Sequence, residues 1–261
     1  MELAGKRILV TRPRHQADGW CRALRDAGAS VDHIPMLAIE PIENGAPLQA
    51  IKRRILDFDQ VDRAIFVSQN AVQLGCDWLD RYWPQLPIGP RYYAIGAATA
   101  RALREHGIDC QRGGETAPDT MDSEALLALP ELRDVAGERV LIFRGSGGRP
   151  RIGDALRQRG ARVDYCELYR RALPGTAERQ LADYTAQPDA IAVHSGETLA
   201  NLCHCIDKSG RRALLRAPLV CPSERVAGRA RELGFAHTQA ALNAGDNAMT
   251  EALRAALARD W

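Results

Sequence analysis

Residues 137–174 read GERVLIFRGSGGRPRIGDALRQRGARVDYCELYRRALP, and residues 5–41 read GKRILVTRPRHQADGWCRALRDAGASVDHIPMLAIEP. One constant offset sets Gly5 on Gly137, Arg12 on Arg144, Leu24 on Leu156, Gly28 on Gly160 and Val31 on Val163. In both copies a β-branched apolar run meets a polar, arginine-bearing loop. A helix-spaced segment then ends at glycine and enters an alternating run. That order predicts strand, loop, helix, strand. Trp20 and Leu24, like Ile152 and Leu156, stand four apart, so each pair shares the helix face that covers a sheet. Gly28 and Gly160 stand where a helix end calls for a left-handed residue.

Working outward, the repetition continues. DAIAVHSGETLANLCHCI (189–206) sets on DRAIFVSQNAVQLGCDWL (62–79), bringing Asp189 onto Asp62 and Ser195 onto Ser68. PLVCPSERVAGRARELGF (218–235) sets on YYAIGAATARALREHGI (92–108), bringing Gly234 onto Gly107. NAMTEALRAALA closes the chain as SEALLAL closes the first half. Two βα-rich halves of roughly 130 residues result, a size that suits an independent lobe. Between the repeats, LQAIKRRILDF (48–58) predicts a helix with Leu48, Ile51, Ile55 and Leu56 on one side. AVQLGCDWLDRYW (71–83) predicts another, after the polar loop Ser68, Gln69, Asn70. The tract GGETAPDTMD (113–122) reads as a loop that hands Asp122 or Ser123 to the helix SEALLALPEL as its N-cap. Pro35 and Pro41 bracket a segment too proline-marked for a helix, which reads as a connector.

Charge is abundant but balanced, 35 Lys and Arg against 33 Asp and Glu for a formal net charge of +2, so no strong general affinity for nucleic acid or an anionic membrane is implied. Lysine occurs only at 6, 52 and 208; the arginine bias suits bidentate grip on carboxylate or phosphate, but genomic base composition is the preferred explanation. The seven cysteines are odd in number, form no CxxC pair and lie mostly in apolar runs, which predicts reduced thiols of a cytoplasmic protein. Cys203, His204 and Cys205 alternate on a helix and diverge, so no metal site is expected. The opening MELAGKRILV has no signal-peptide core, and no stretch reaches membrane-spanning length.

Ligands of parallel α/β sheets meet the carboxyl ends of the strands, where loops enter helix N-termini with unpaired N–H groups. The candidate loops are therefore 11–14, 68–70, 96–99, 144–149, 195–198 and 222–225. Such termini attract anions. Taken singly, each reads first as ordinary helix capping by Ser, Thr or Asn, and only the six together point to a ligand. The glycines at 145, 147 and 148 follow a strand as in a dinucleotide fingerprint, but Pro150 holds the third glycine position and the first copy lacks them. No HExxH, GxSxG or P-loop appears, and His15, His33, His106, His194 and His237 stand singly and read as structural.

KRILVTRP, AIFVSQNAV, YYAIGAATARAL, LIFRGSGGR with Leu156 and Gly160, YCELYRR and VHSGETL, in that order and spacing, resemble the uroporphyrinogen-III synthase family along the whole chain. The resemblance implies an α/β fold of two similar parallel-sheet lobes joined by a pair of extended linkers, with a cleft between them. The first lobe would be 1–38 plus 174–261, the second 44–167, and the linkers 39–43 and 168–173. It further implies dehydration and cyclisation of hydroxymethylbilane, an eight-carboxylate linear tetrapyrrole, with inversion of ring D and without metal or organic cofactor. Tyr169 matches the tyrosine of the second linker and would serve as general acid to the departing hydroxyl. Its alternative is packing, as for its counterpart Leu37. Thr99 is a second hydroxyl candidate, with N-capping as its alternative.

The expected binding groups are Arg12, Arg14, Ser68, Gln69, Asn70, Gly96, Ala97, Ala98, Arg144, Gly145, Ser195, Gly196, Ser223 and Arg225. The turn Ser223, Glu224, Arg225, Val226 departs from Gly96, Ala97, Ala98, Thr99, and is expected to give backbone N–H groups and the Arg225 guanidinium rather than catalysis. A monomer in the cytoplasm is expected, with no nucleic-acid or membrane partner and a transient contact with hydroxymethylbilane synthase. Two other functions fit the residues: a non-catalytic two-lobed sensor of a polycarboxylate ligand, and a tandem nucleotide-binding protein.

Overall fold

The computed structural model describes residues 3–113 and 122–259. Most of the expected loop at 113–122 thus lies outside the described residues, as does the side chain of Asp122. Among the described residues the strands are β1 (Arg7–Val10), β2 (Ser30–His33), β3 (Ala38–Pro41), β4 (Arg63–Phe66), β5 (Arg91–Ala94), β6 (Gln111–Arg112), β7 (Arg139–Gly145), β8 (Arg162–Ala172), β9 (Ala190–Ala192), β10 (Leu219–Cys221) and β11 (Thr238–Ala240). The helices are α1 (Arg14–Asp26), α2 (Gly45–Leu56), α3 (Gln69–Tyr82), α4 (Ala97–Glu105), α5 (Asp122–Leu127), α6 (Arg151–Gln158), α7 (Ala177–Asp183), α8 (Gly196–Ser209), α9 (Glu224–Glu232) and α10 (Asp246–Leu257).

The chain divides into two compact α/β units, one of Met1–Ala38 with Ala172–Trp261, the other of Ile39–Arg171. In the first, all strands are parallel in the order β11-β10-β9-β1-β2. Alternate side chains of each short strand go to opposite faces. Leu9, Ile191 and Leu219 pack with Leu199, Leu202 and Val226, whereas Ile8, Val10, Ala192 and Val220 pack with Trp20, Leu24, Met249 and Leu253. Helices on both faces explain why these strands read as unbroken apolar runs.

In the second unit the order is β3-β8-β7-β4-β5-β6. Phe66 and Phe143 stack at 4.4 Å on one face beside Val72, Leu79 and Leu103, while Ile65, Val140 and Ile142 meet Leu126, Ile152 and Leu156 on the other. Each such side chain, fully buried, contributes about 1.5–3 kcal/mol. The segments expected as linkers are extended: Ile42 N–H donates to the Leu168 carbonyl at 3.0 Å, and β3 and β8 are neighbours in this unit's sheet.

The duplicated sequence gives duplicated detail. β7 and β8 stand to β4 as β1 and β2 stand to β9. Asp62 accepts the backbone N–H of Arg139 at 2.7 Å, and Asp189 that of Arg7 at 2.7 Å, each tying the start of one strand to the turn before its neighbour. Gly28 and Gly160 take φ of +92° and +87° behind α1 and α6, and a Cβ there would crowd Ala4 and Ala136 respectively.

Three helix limits differ from expectation. α2 begins at Gly45 rather than Leu48, because Pro47 is tolerated in a first turn where its missing N–H has no partner to lose. α3 begins at Gln69 rather than Ala71, because Ser68 is its cap. The expected helix over 123–132 stops at Leu127, and Pro130 opens a separate 3₁₀ turn over Pro130–Leu132.

Candidate active site

Both sheets place their topological switch where a strand's two neighbours are reached by connections running in opposite directions along the sheet. In one unit this lies between β1 and β9, in the other between β7 and β4. Ligands of open parallel sheets bind beyond the carboxyl ends of strands at such points. The chain segments there are Thr11–Arg12 with His194–Ser195, and Gly145–Ser146 with Val67–Ser68.

In the unit of Ile39–Arg171, Ser68 follows β4 in extended backbone and its Oγ accepts the Ala71 N–H at 3.0 Å, capping α3. The same Oγ is 2.9 Å from the phenolic oxygen of Tyr169. Tyr169 is brought there by a register irregularity. Phe143 pairs with Cys166 and Arg144 with Glu167, but Gly145 pairs with Tyr169, so one residue of β8 is skipped. The Ser146 N–H donates to the Tyr169 carbonyl at 2.8 Å. Gly145 is required here because a Cβ would lie 2.5 Å from the Tyr169 ring. Tyr169 is wholly buried, and Ser68 is half-buried beside it.

Next to this turn, α4 opens at Gly96, which has no side chain to cap its first turn, while Ala97 and Ala98 are exposed. Thr99 is not the N-cap. It is buried in the first turn at 5% exposure, with Gly96 in the capping position. Gln69 is exposed and Asn70 half-buried. Arg144 turns inward: its guanidinium donates to the carbonyls of Gly145 (3.2 Å) and Arg149 (3.3 Å) and covers the Tyr165 ring at 4.7 Å. Glycine at 148 makes room for this guanidinium, since a Cβ would fall 2.0 Å from the Arg144 Nη2 and displace it. The arginine therefore shapes the 144–149 loop from within.

The other unit builds the same turn with different partners. Ser195 caps α8 by accepting the Thr198 N–H at 3.0 Å, but its hydroxyl meets Thr198 Oγ1 at 2.8 Å. Gly196 is half-buried. Thr11 Oγ1 donates to the Ala192 carbonyl at 2.8 Å, joining β1 to β9, and Arg12 Nη1 donates to Asp246 at 2.5 Å. Arg14 is exposed on the first turn of α1. Ser223 is the N-cap of α9 without a side-chain cap bond, Arg225 is exposed, and Glu224 pairs with Arg231 at 2.5 Å, not with a neighbouring loop. Val226 stands where the unit of Ile39–Arg171 has Thr99 and is buried in the core.

His194, read as structural, is the residue beside this turn that the sequence did not single out. Both ring nitrogens are buried without a hydrogen-bond partner, and the ring meets Trp20 edge-on at 4.9 Å. Burial, reinforced by the Arg12 charge, lowers its pKa to about 3, so the imidazole is neutral. Its signal was its place one residue before Ser195. The thiols behave as core groups: burial is the leading cause that raises all seven, with Cys76, Cys166 and Cys221 pushed up to about 12. Among the described residues no cluster of three His, Cys, Asp or Glu could hold a metal, and none of the helices is long and apolar enough to cross a membrane.

Comparison with known proteins adds to this geometry. A family model described as uroporphyrinogen-III synthase HemD matches residues 18–251. The uroporphyrinogen-III synthase of Escherichia coli is 38% identical over 253 residues, covering 95% of this chain and 99% of that protein. That of Salmonella typhimurium is 36% identical over 251 residues, with 95% and 99% covered. In fold, the chain is similar to a crystal structure of a mutant uroporphyrinogen III synthase from Thermus thermophilus (TM-score 0.63, 18% identity, 98% of this chain and 100% of that one). It is also similar to the Helicobacter pylori protein (TM-score 0.55, 15% identity, 96% and 99%).

Proposed function

The chain belongs to the uroporphyrinogen-III synthase family, and on that premise we propose that it dehydrates and cyclises hydroxymethylbilane with inversion of ring D to give uroporphyrinogen III. The observation that carries this reading is the match to the Escherichia coli enzyme over nearly the full length of both chains. The same match favours catalysis over the sensor alternative.

The chemistry asks for few groups. The lone pair of the terminal pyrrole nitrogen expels the hydroxyl, the resulting azafulvene is attacked by the far end of the tetrapyrrole, and the enzyme must hold the chain curled while it happens. Hydroxyl donors serve the departing oxygen, and uncapped helix N-termini serve the substrate's carboxylates. Supporting this assignment, α4 and α9 open without side-chain caps, and Arg14 and Arg225 are exposed in the loops concerned. Ser68, Gln69, Asn70, Ser195 and Gly196 complete the binding set in this reading. Arg12 and Arg144 serve it by shaping their loops. Thr99, buried beneath Gly96, supports the α4 turn. We take residues 39–43 and 168–173 as the two chain crossings. The protein is read as a cytoplasmic monomer that meets hydroxymethylbilane synthase transiently, and light scattering with and without that enzyme tests both points.

Purified protein supplied with hydroxymethylbilane, followed by oxidation and separation of the porphyrin isomers, tests the activity. Type III is the expected product. Formation of type I alone, the isomer of spontaneous closure, would overturn the proposal.

A further inference from the structure

Hydrogen-bond arithmetic at Ser68 assigns its hydroxyl a direction. A buried phenol must donate its proton somewhere, and Tyr169, with no exposed surface, has one side-chain partner among the described residues, Ser68 Oγ at 2.9 Å. A serine oxygen accepts through two lone pairs. One receives the Ala71 N–H at 3.0 Å. If the other receives the Tyr169 proton, both are filled, and the Ser68 O–H can act only as a donor, to an acceptor outside this group.

We propose that Ser68 is the hydroxyl that touches the departing oxygen of the substrate, and that Tyr169 is a positioning residue, acting through Ser68 by fixing it as an outward donor. This rests on the function proposed above. Burial sets the division of labour: Tyr169 does not reach the surface, whereas Ser68 is half-buried at the carboxyl end of β4, at the switch between β4 and β7. The duplicated turn supplies the internal control. Ser195 has the same cap bond, but its second partner is Thr198 of its own helix, a hydroxyl that can donate or accept, so nothing fixes the direction of Ser195.

In the step concerned the C–O bond breaks with its electron pair passing to oxygen, and the pyrrole nitrogen pair fills the vacated carbon. The oxygen takes a proton from solvent and leaves as water, and the cyclised product returns that proton when it loses one from carbon. Ser68 donates a hydrogen bond to the oxygen as its charge develops and keeps its own proton.

The test is a double-mutant cycle in the isomer-forming assay, with kcat and KM measured separately for Ser68→Ala, Tyr169→Phe and the pair. Each single change is expected to lower kcat by about 10- to 100-fold, the loss of one hydrogen bond to a charged group. KM should stay within about twofold, and Tyr169→Phe should add nothing once Ser68 is alanine. Ser68→Thr, which keeps a hydroxyl, should restore turnover. Ser68→Gly, which serves at an N-cap, repeats the cycle if Ser68→Ala does not fold. A further tenfold loss from Tyr169→Phe in the Ser68→Ala background, or wild-type kcat in Ser68→Ala, would overturn the inference while leaving the function intact. A wild-type protein that yields only type I removes the function and this inference together.

Discussion

The hydroxyls of Ser68 and Tyr169 are 2.9 Å apart, whereas at the matching turn of the other unit Ser195 has no tyrosine and meets Thr198 at 2.8 Å. Two copies of one local design, each capping a helix with serine, thus differ in a single partner. That asymmetry separates a structural serine from one tied to a buried phenol, and it makes the effects of mutation unequal.

Ser195→Ala removes a cap and is expected to destabilise by about 1 kcal/mol, because the buried Thr198 hydroxyl it leaves can turn to a carbonyl of the preceding helical turn. Ser68→Ala removes a cap and also leaves the Tyr169 hydroxyl unpartnered in the core, adding about 1–3 kcal/mol. Denaturant unfolding of the two variants side by side checks this, with equal losses as the failing result.

Gly145→Ala forces a methyl to within 2.5 Å of the Tyr169 ring, and the ring has nowhere to retreat in a closed core. A loss of about 1–3 kcal/mol is expected, together with lower turnover as Tyr169 is displaced from Ser68. Gly147→Ala, in the same loop, meets nothing within 4 Å but holds φ at +71°, so it should lose stability through backbone strain while keeping kcat.

Burial holds His194 neutral, with a pKa of about 3 against 6.5 in an unfolded chain. Between those values the unfolded state binds a proton that the folded state refuses, so stability falls as pH drops below about 6.5 and the loss is complete near pH 3. From neutrality to pH 5 the expected contribution is about 2 kcal/mol. Unfolding free energies of wild type and His194→Phe at pH 7 and pH 5 test it: the variant should be less sensitive to acid by about that amount. Parallel pH slopes would count against the assignment.

Arg63 is 4% exposed and is held by Glu138 through two of its nitrogens and by the Tyr93 hydroxyl at 2.5 Å through the third. Glu138→Gln leaves a guanidinium in the core without its counter-charge. Because Glu138 itself is partly exposed, a loss of about 2–4 kcal/mol is expected, somewhat less than for a wholly buried pair. Arg63→Met with Glu138→Leu should recover most of it, as measured by melting temperature.

The strands, the duplication and the glycine-ended helices were legible because each depends on residues near in sequence: the ILV and VLIF runs, or Gly28 and Gly160 at their turns. The partners of the candidate site were less so. Ser68 reads as loop or cap with equal ease, and its bond to Tyr169 comes from a skipped residue in β8 and a missing Cβ at Gly145, neither of which any local pattern encodes. Arg144 looks like a ligand-seeking cation in sequence. It lies buried because Gly148 admits its guanidinium, a contact made across the loop. Thr99 looked like a cap because Gly96, lacking a side chain, gave no sign of holding that position.

One unit is written as an uninterrupted run, Ile39–Arg171, while the other is split around it and needs everything from Ala172 onward. During synthesis the interrupted unit must therefore wait. With β1, α1 and β2 already made, its sheet still lacks β9, the strand that sits beside β1, until the ribosome has finished the inserted partner. At about 5–20 residues per second that leaves on the order of 10 seconds or more in which the inserted unit can fold while the N-terminal segment stays unpaired. Protease protection on stalled nascent chains should accordingly appear first in the middle of the sequence, and at its beginning only near the end of translation.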